Sequence, residues 1–328
     1  MAIFVPNCGC RHRCSFCNQC AITGKQSLPT PQDVRAAAEI ALRKPGRDAA
    51  RSEIAFFGGS FTAIEPSYMA SLLEAATPYV RSGAFAGIRI STRPDCVGEE
   101  VLGVLRRYGV TTVELGAQSM DDRVLARNGR GHTAAQTARA AELIRSRGFA
   151  LGLQMMTGLP GDTDGGARET AERLAALHPS CVRIYPALAL AGTQMGEWYR
   201  RGEYRPQTLE EAVELCAGLL DFFEAQGIPV IRLGLHASPE LERGLLAGPW
   251  HPAFRELCES RRMLRAVLEE LARKPGPAGT VRIRVSPNSL SAATGQKKGN
   301  LRELARMGYQ VKFVPDDSVP RGRVRVQT

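Results

Sequence analysis

The sequence predicts an α/β fold, a partial (β/α)6 barrel followed by a small C-terminal α+β module. Three observations carry this. Short apolar runs alternate with segments of helical period from Ile54 to Leu235, the pattern of parallel βα units. The runs end in glycine or polar clusters, where the active residues of such units collect. Six units after one short first strand are too few for a closed eightfold barrel, and no Gly-x-Gly-x-x-Gly opens a helix as a dinucleotide site would require.

Met1 to Pro6 reads as that first strand and is too short for a signal peptide. Thr30-Pro31-Gln32-Asp33 supplies an N-cap, a proline at the first helical position and an early acid, so an Ala-rich helix runs to Lys44 and stops at Pro45-Gly46. Ile54 to Phe57 is a strand that leads into Gly58-Gly59-Ser60, where missing side chains let a ligand approach the backbone. Helices over 67–80, 99–108, 134–147 and 166–177 then alternate with strands over 88–90, 112–115, 151–155 and 182–185. Leu209, Ala212, Leu215, Leu219 and Phe223 recur at helical spacing, and Ile228 to Leu235 reads as the strand that closes the main domain. Residues 237–273 look helical, with Leu264, Val267, Leu268 and Leu271 on one face, and Lys274-Pro275-Gly276-Pro277-Ala278-Gly279 is a linker. Beyond it a strand (281–285), a short helix (290–294), a Gly-Gln-Lys-Lys-Gly loop, a helix (301–307) and a strand (311–314) follow. The expected domains are a core over 1–236, a helical extension over 237–273 and a module over 274–328.

With 328 residues, 44% of them hydrophobic, the chain can bury a sizeable core. No run of eighteen apolar residues occurs, so no membrane span is expected. Nine cysteines without an export signal point to a reducing cytoplasm. The formal charge is +10, and residues 273–328 alone hold twelve Lys/Arg against three Asp/Glu. The basic patch is therefore a feature of the tail.

Cys10, Cys14 and Cys17 form a C-x3-C-x2-C array. Three soft thiolates on one loop can hold three irons of a [4Fe–4S] cluster and leave the fourth open. Zinc would want two C-x2-C pairs or added histidines, and His12 inside the loop would crowd the thiolates. An odd set of closely spaced cysteines does not suggest a disulfide. Cys8 and Cys20 flank the array as spare thiols or alternate ligands.

This spacing, with Phe16 just before the last cysteine, resembles the radical S-adenosylmethionine (radical SAM) enzymes. Phe57-Gly58-Gly59-Ser60-Phe61-Thr62, Thr92-Arg93-Pro94-Asp95, Val113 to Ser119, Arg130-Gly131-His132-Thr133, Gly158-Leu159-Pro160-Gly161 and Arg183-Ile184-Tyr185-Pro186 extend the resemblance. They fall in the order seen in the radical SAM core of Elongator catalytic subunits, over roughly residues 3–235. The resemblance implies a [4Fe–4S] cluster, cleavage of S-adenosylmethionine to a 5′-deoxyadenosyl radical, and a reductant such as flavodoxin or ferredoxin. Gly58 and Gly59, with Ser60, match the turn that receives the methionine amino group, while Gln118 and Arg130 resemble the pair that in the related oxygen-independent coproporphyrinogen oxidases contacts the methionine and ribose ends, with a strand-end cap and a solvated helix charge as the alternative. Ser91 stands where the family offers Glu, and Gln154 where it offers Asp or His; both can hydrogen-bond but carry no charge. Tyr185 is the candidate catalytic, substrate-facing aromatic, with a core tyrosine as the alternative. His132 and His236 read equally well as structural. No acetyl-CoA pyrophosphate loop is present, so acetyl-CoA is not an expected partner.

The βααβ order of the last segment, with Gly295-Gln296-Lys297-Lys298 between its helices, resembles a minimal KH module, although Lys298 replaces the second glycine. Lys297, Lys298, Arg302 and Arg306 are the candidate RNA contacts; the alternative is a solubilising cap. Together these readings give a cytoplasmic radical SAM enzyme acting on an RNA, in particular a tRNA base. The rivals are an enzyme of a small metabolite or tetrapyrrole and a non-catalytic iron–sulfur RNA-binding protein.

Overall fold

The computed structural model describes residues 1–6, 10, 13–18, 27–44, 48–273 and 279–327. Cys8, His12, Cys20 and the linker residues 274–278 lie outside them. By contact density the chain divides into two compact units, residues 1–207 with 226–249, and residues 208–225 with 250–328.

The first unit is built on β1 (Ala2–Val5), β2 (Glu53–Gly58), β3 (Gly87–Thr92), β4 (Val110–Gln118), β5 (Ala150–Thr157), β6 (Cys181–Pro186) and β8 (Val230–Leu233). They hydrogen-bond in that order, all parallel, into one open sheet with β1 and β8 at its edges. This is the expected partial barrel. Its central strands carry buried apolar runs such as Ile54-Ala55-Phe56, as strands of a parallel sheet covered on both faces do. The crossovers hold α1 (Pro31–Arg43), α2 (Pro66–Arg81), α3 (Glu99–Arg107), α4 (Asp122–Arg127), α5 (Ala134–Ser146) and α6 (Asp164–Ala175). Thr30 begins α1 with a full capping box, accepting from Asp33 N at 3.2 Å while Asp33 Oδ2 accepts from Thr30 N at 2.7 Å. The short helix α4 was not expected from the periodicity; it spans fewer than two turns and has too few apolar positions to show a period.

A two-stranded antiparallel ribbon, β7 (Ala189–Leu190) with β9 (Leu245–Ala247), and α7 (Gln194–Arg200) complete this unit, together with α9 (Pro239–Gly244). The continuous helix expected over 237–273 is thus corrected. Chain direction changes at Gly244 and again at Gly248-Pro249, where Gly248 has φ +123°, and only α10 (Phe254–Arg273) is a long helix.

The second unit corrects another expectation. Helix α8 (Leu209–Ala225), read as part of the main domain, belongs with α10. Arg262 Nε donates to Asp221 Oδ1 at 2.6 Å, and Arg265 Nη2 to the Glu214 carbonyl at 2.9 Å. The module beyond contains β10 (Thr280–Val285), α11 (Leu290–Thr294), α12 (Gly299–Arg306) and β11 (Gln310–Pro315) in the expected βααβ order, plus an unexpected β12 (Val324–Gln327). The sheet order is β11-β10-β12, with β10 parallel to β11 and antiparallel to β12. Met263, Leu264, Val267 and Leu271 of α10 pack with Ile283, Val285 and Leu304 in its core. Among the described residues no helix is long and apolar enough to cross a membrane.

Candidate functional site

Parallel strands bring their carboxyl ends to one rim, and the cysteine loop leaves β1 at that rim. A polar bolt holds the loop. Ser15 is fully buried; its N–H donates to the Asn128 carbonyl at 3.0 Å and its hydroxyl to Asn128 Oδ1 at 2.6 Å. Asn128 Nδ2 in turn donates to the carbonyls of Val124 at 2.8 Å and Pro160 at 3.0 Å. Met195 N donates to Ser15 O at 2.8 Å, and Asn18 Nδ2 to Ala191 O at 3.1 Å, so segments following β4 and β6 bond the loop directly while the one after β5 holds Asn128. Phe16 packs into the apolar cluster of Val124, Met156, Leu159, Ala187 and Met195, which Tyr185 also joins. Neither Ser15 nor Asn128 was a sequence candidate. Their only signal is adjacency to Cys14 and to the Arg130 motif.

Cys14 meets Arg130 directly, with Nη1 at 3.3 Å from its sulfur. Arg130 is buried, and its Nη2 donates to the Gly116 carbonyl at 2.5 Å. Gly116 leaves room for these side chains: a Cβ would stand 2.9 Å from Gln118 Nε2 and 3.3 Å from Arg130 Nη2 and would push them aside. Around Cys10, burial raises the thiol while the Ser60 N–H, Arg93 and Arg130 act in the opposite sense. The net effect keeps the free thiol above its ordinary value, so a ligand thiolate here has to be drawn out by the metal it binds. Among the described residues no three His, Cys, Asp or Glu side chains converge as a single ion would require. A cluster that offers each thiolate its own iron does not ask that of them.

At the end of β2, Gly58 has φ +120° and lies so close to β1 that a Cβ would sit 2.6 Å from Val5 O. Ser60 is buried, and its hydroxyl is engaged by Thr92 Oγ1 at 2.9 Å and Arg93 N at 3.2 Å, which leaves its backbone N–H facing Cys10. Ser91, half-buried on β3, makes only a 3.5 Å contact to Phe56 O. Gln118 and Gln154 face each other in a reciprocal amide pair of 3.0 and 2.6 Å, with Gln118 at φ +67°. Tyr185 sits beside Met156 in register, half-buried, its hydroxyl pushed up by burial and opposed by Arg183. Beneath this layer Arg89 bridges Glu53 and Glu114, both at 2.6 Å, and Arg183 Nε reaches Glu114 at 2.8 Å. The interior floor is thus a neutral ladder of two acids and two arginines.

Two residues of the sequence motifs gain a place in the site from the structure. Arg93 is buried and forks onto Asp95 with two 2.9 Å bonds, yet its buried Nη1 has no partner among the described residues. His132, also buried, is held near pKa 4 by desolvation and by Arg130, so it is neutral; its Nε2–H donates to Ala117 O at 3.3 Å and Nδ1 is unpartnered. Arg130 Nε is a third buried nitrogen without a partner. An unsatisfied buried polar group costs about 1–3 kcal/mol. Two of them, on Arg93 and Arg130 near the cysteines, are donors that suit an anionic group, and the His132 Nδ1 is an acceptor, so the residues present fit a SAM-type cofactor and its cluster. The candidate cluster ligands and cofactor contacts belong to the first unit, while Lys297, Lys298, Arg302 and Arg306 are exposed in the second. Lys297 and Lys298 have φ +49° and +62°, a left-handed turn that non-glycine residues adopt rarely.

Comparisons with known proteins bear on the family and the fold. The chain is 30% identical over 196 residues to the tRNA uridine(34) acetyltransferase of Methanocaldococcus jannaschii, covering 54% of this chain and 36% of that protein. It is 27% identical over 202 residues to Elongator complex protein 3 of Homo sapiens, covering 55% of this chain and 36% of that one. The chain thus spans about a third of the length of these relatives. In fold it is similar to an N-terminally truncated Elp3 of Methanocaldococcus infernus, with a TM-score of 0.59 and 24% identity over 74% of this chain and 59% of that one. The Radical_SAM C-terminal domain profile matches residues 179–265 and the Radical SAM superfamily profile matches residues 4–174, more than half the chain. The chain therefore belongs to the radical SAM superfamily.

Proposed function

We propose that this protein is a radical SAM enzyme that modifies a tRNA base. The superfamily implies a [4Fe–4S] cluster and S-adenosylmethionine, which when bound and reduced supply a 5′-deoxyadenosyl radical. The observation that carries the reading is Arg130, buried between Cys14 Sγ and Gly116 O with a third nitrogen unpartnered. In that position its planar fork can hold a carboxylate beside the thiolates. Cys10, Cys14 and Cys17 hold the cluster, and the Gly58-Gly59 turn offers backbone groups to the methionine end, with Ser60 acting through its backbone N–H. Gln118, Gln154 and Ser91 hydrogen-bond the nucleoside once the amide pair opens, and neutral His132 offers Nδ1 as an acceptor. Tyr185 faces the substrate. Lys297, Lys298, Arg302 and Arg306 meet RNA phosphates, and a flavodoxin- or ferredoxin-type donor reduces the cluster. The tRNA substrate is supported by the named activity of the M. jannaschii relative.

The test is anaerobic reconstitution, dithionite reduction and chromatography of 5′-deoxyadenosine with and without bulk tRNA. Wild type should form deoxyadenosine and Cys14→Ala none. Arg130→Ala should weaken S-adenosylmethionine binding about ten- to a hundredfold, the loss of a charge-assisted bond of about 1.5–3 kcal/mol. No deoxyadenosine above the Cys14→Ala background, with or without tRNA, refutes the enzyme reading.

A further inference from the structure

We propose that the solvent face of the β11-β10-β12 sheet is a phosphate-backbone surface for structured RNA. The strand alternation defines it. Val281, Ile283, Val285, Phe313, Val324 and Val326 turn to the helices and form the core of the second unit. The intervening residues Arg282, Arg284, Lys312 and Arg325 therefore share the other face. Register places Arg282 beside Lys312 and Arg284 beside Arg325. With strands about 4.8 Å apart and about 6.6 Å between alternate residues, four cations occupy one small patch.

The charge on this face is not internally balanced. Arg284 Nη1 pairs with Asp316 at 3.2 Å, whereas Arg282, Lys312 and Arg325 are exposed and have no carboxylate partner among the described residues. The arginines of α10 in the same unit behave differently. There Arg262 is paired with Asp221 at 2.6 Å and Glu259 at 3.0 Å, and Arg261 reaches Glu303 at 3.7 Å. A merely solubilising surface would mix signs as that helix does. Side by side, three unpaired cations repel one another and are complementary to a polyanion. The outward positions of β10 and β11 carry no aromatic residue, so the face has no platform for base stacking and would read backbone rather than sequence.

This inference deepens the RNA reading above and rests on it, but it names a surface separate from the inter-helix lysines. The experiment is a salt titration of bulk tRNA binding to the full chain, comparing wild type with an Arg282→Gln/Lys312→Gln/Arg325→Gln variant whose folding is checked by circular dichroism. Losing three phosphate contacts should reduce the slope of log K against log salt by about 2–3, and affinity at 0.1 M salt on the order of a hundredfold. Arg282→Lys/Arg325→Lys, which keeps the charge, should retain the wild-type slope, and Lys312→Gln alone should lower it by about 0.7–0.9. A bound wild type whose slope is unchanged in the folded triple variant overturns this inference and leaves the enzyme reading standing. If tRNA binds through the sheet and no deoxyadenosine forms, the enzyme reading falls and this one stands. A wild type that binds no tRNA at low salt overturns this inference and the tRNA substrate together, while deoxyadenosine formation still decides the enzyme reading.

Discussion

Removing the side chain of Asn128 should loosen the cysteine loop before any cofactor is considered. In Asn128→Ala the Ser15 hydroxyl and the Pro160 carbonyl lose their partners, while the Val124 carbonyl still receives the Asn128 backbone N–H at 3.1 Å. Two buried groups at about 1–3 kcal/mol each give a destabilisation of about 2–6 kcal/mol. Ser15→Ala orphans only Asn128 Oδ1 and should cost about 1–2 kcal/mol. The double variant no longer contains the Ser15 hydroxyl, so its penalty disappears, and the cycle should show a coupling of about 1 kcal/mol. For a unit of this size each kcal/mol lowers the melting temperature by about 2–4 °C. Thermal unfolding of the metal-free protein by circular dichroism measures all four corners, and iron per chain after reconstitution gives a second readout. Additivity of the two single variants within about 0.5 kcal/mol would refute the bolt.

The remaining predictions concern the strand-end glycine and the buried histidine. Gly58→Ala should destabilise the first unit by more than about 2 kcal/mol, since φ +120° and a Cβ at 2.6 Å from Val5 O force β1 away from β2; an unchanged melting temperature would contradict the close approach. His132 has a folded pKa near 4 against an ordinary value of 6.5, so between these values the unfolded chain binds the extra proton. Stability from this group is present above about pH 6.5 and is lost as pH falls toward 4, on the order of 2–3 kcal/mol. His132→Gln should flatten the stability profile across that window, and an identical profile in denaturant titrations would exclude the histidine as its source.

How much of this protein was legible in its sequence follows from which interactions are local. The C-x3-C-x2-C spacing, the strand-end glycines and the Thr30 capping box are set by neighbours along the chain, and each could be read directly. So could the open sheet, because alternating strand and helix periods admit few parallel topologies. The extent of the βααβ tail was legible in part: β12 is four residues long, and its Val-Arg alternation is too brief to stand out before pairing with β10 supplies the register. Tertiary structure alone decided the rest. Ser15 and Asn128 are 113 residues apart, and a buried polar pair leaves no periodic trace in either segment. Gln118 and Gln154 each look like independent ligand contacts in sequence, yet adjacent strands turn their amides onto one another. Helix α8 carries enough apolar residues to pack in either unit, and its acids Glu214 and Asp221 meet the arginines of α10 only once both helices are in place. Composition placed the positive charge in the tail, but only folding could separate the arginines that find carboxylates from the three cations on the sheet that do not. Local spacing fixes which chemistry a chain can carry, whereas the pairing of distant polar groups depends on the three-dimensional fold, because burial leaves each of them few possible partners.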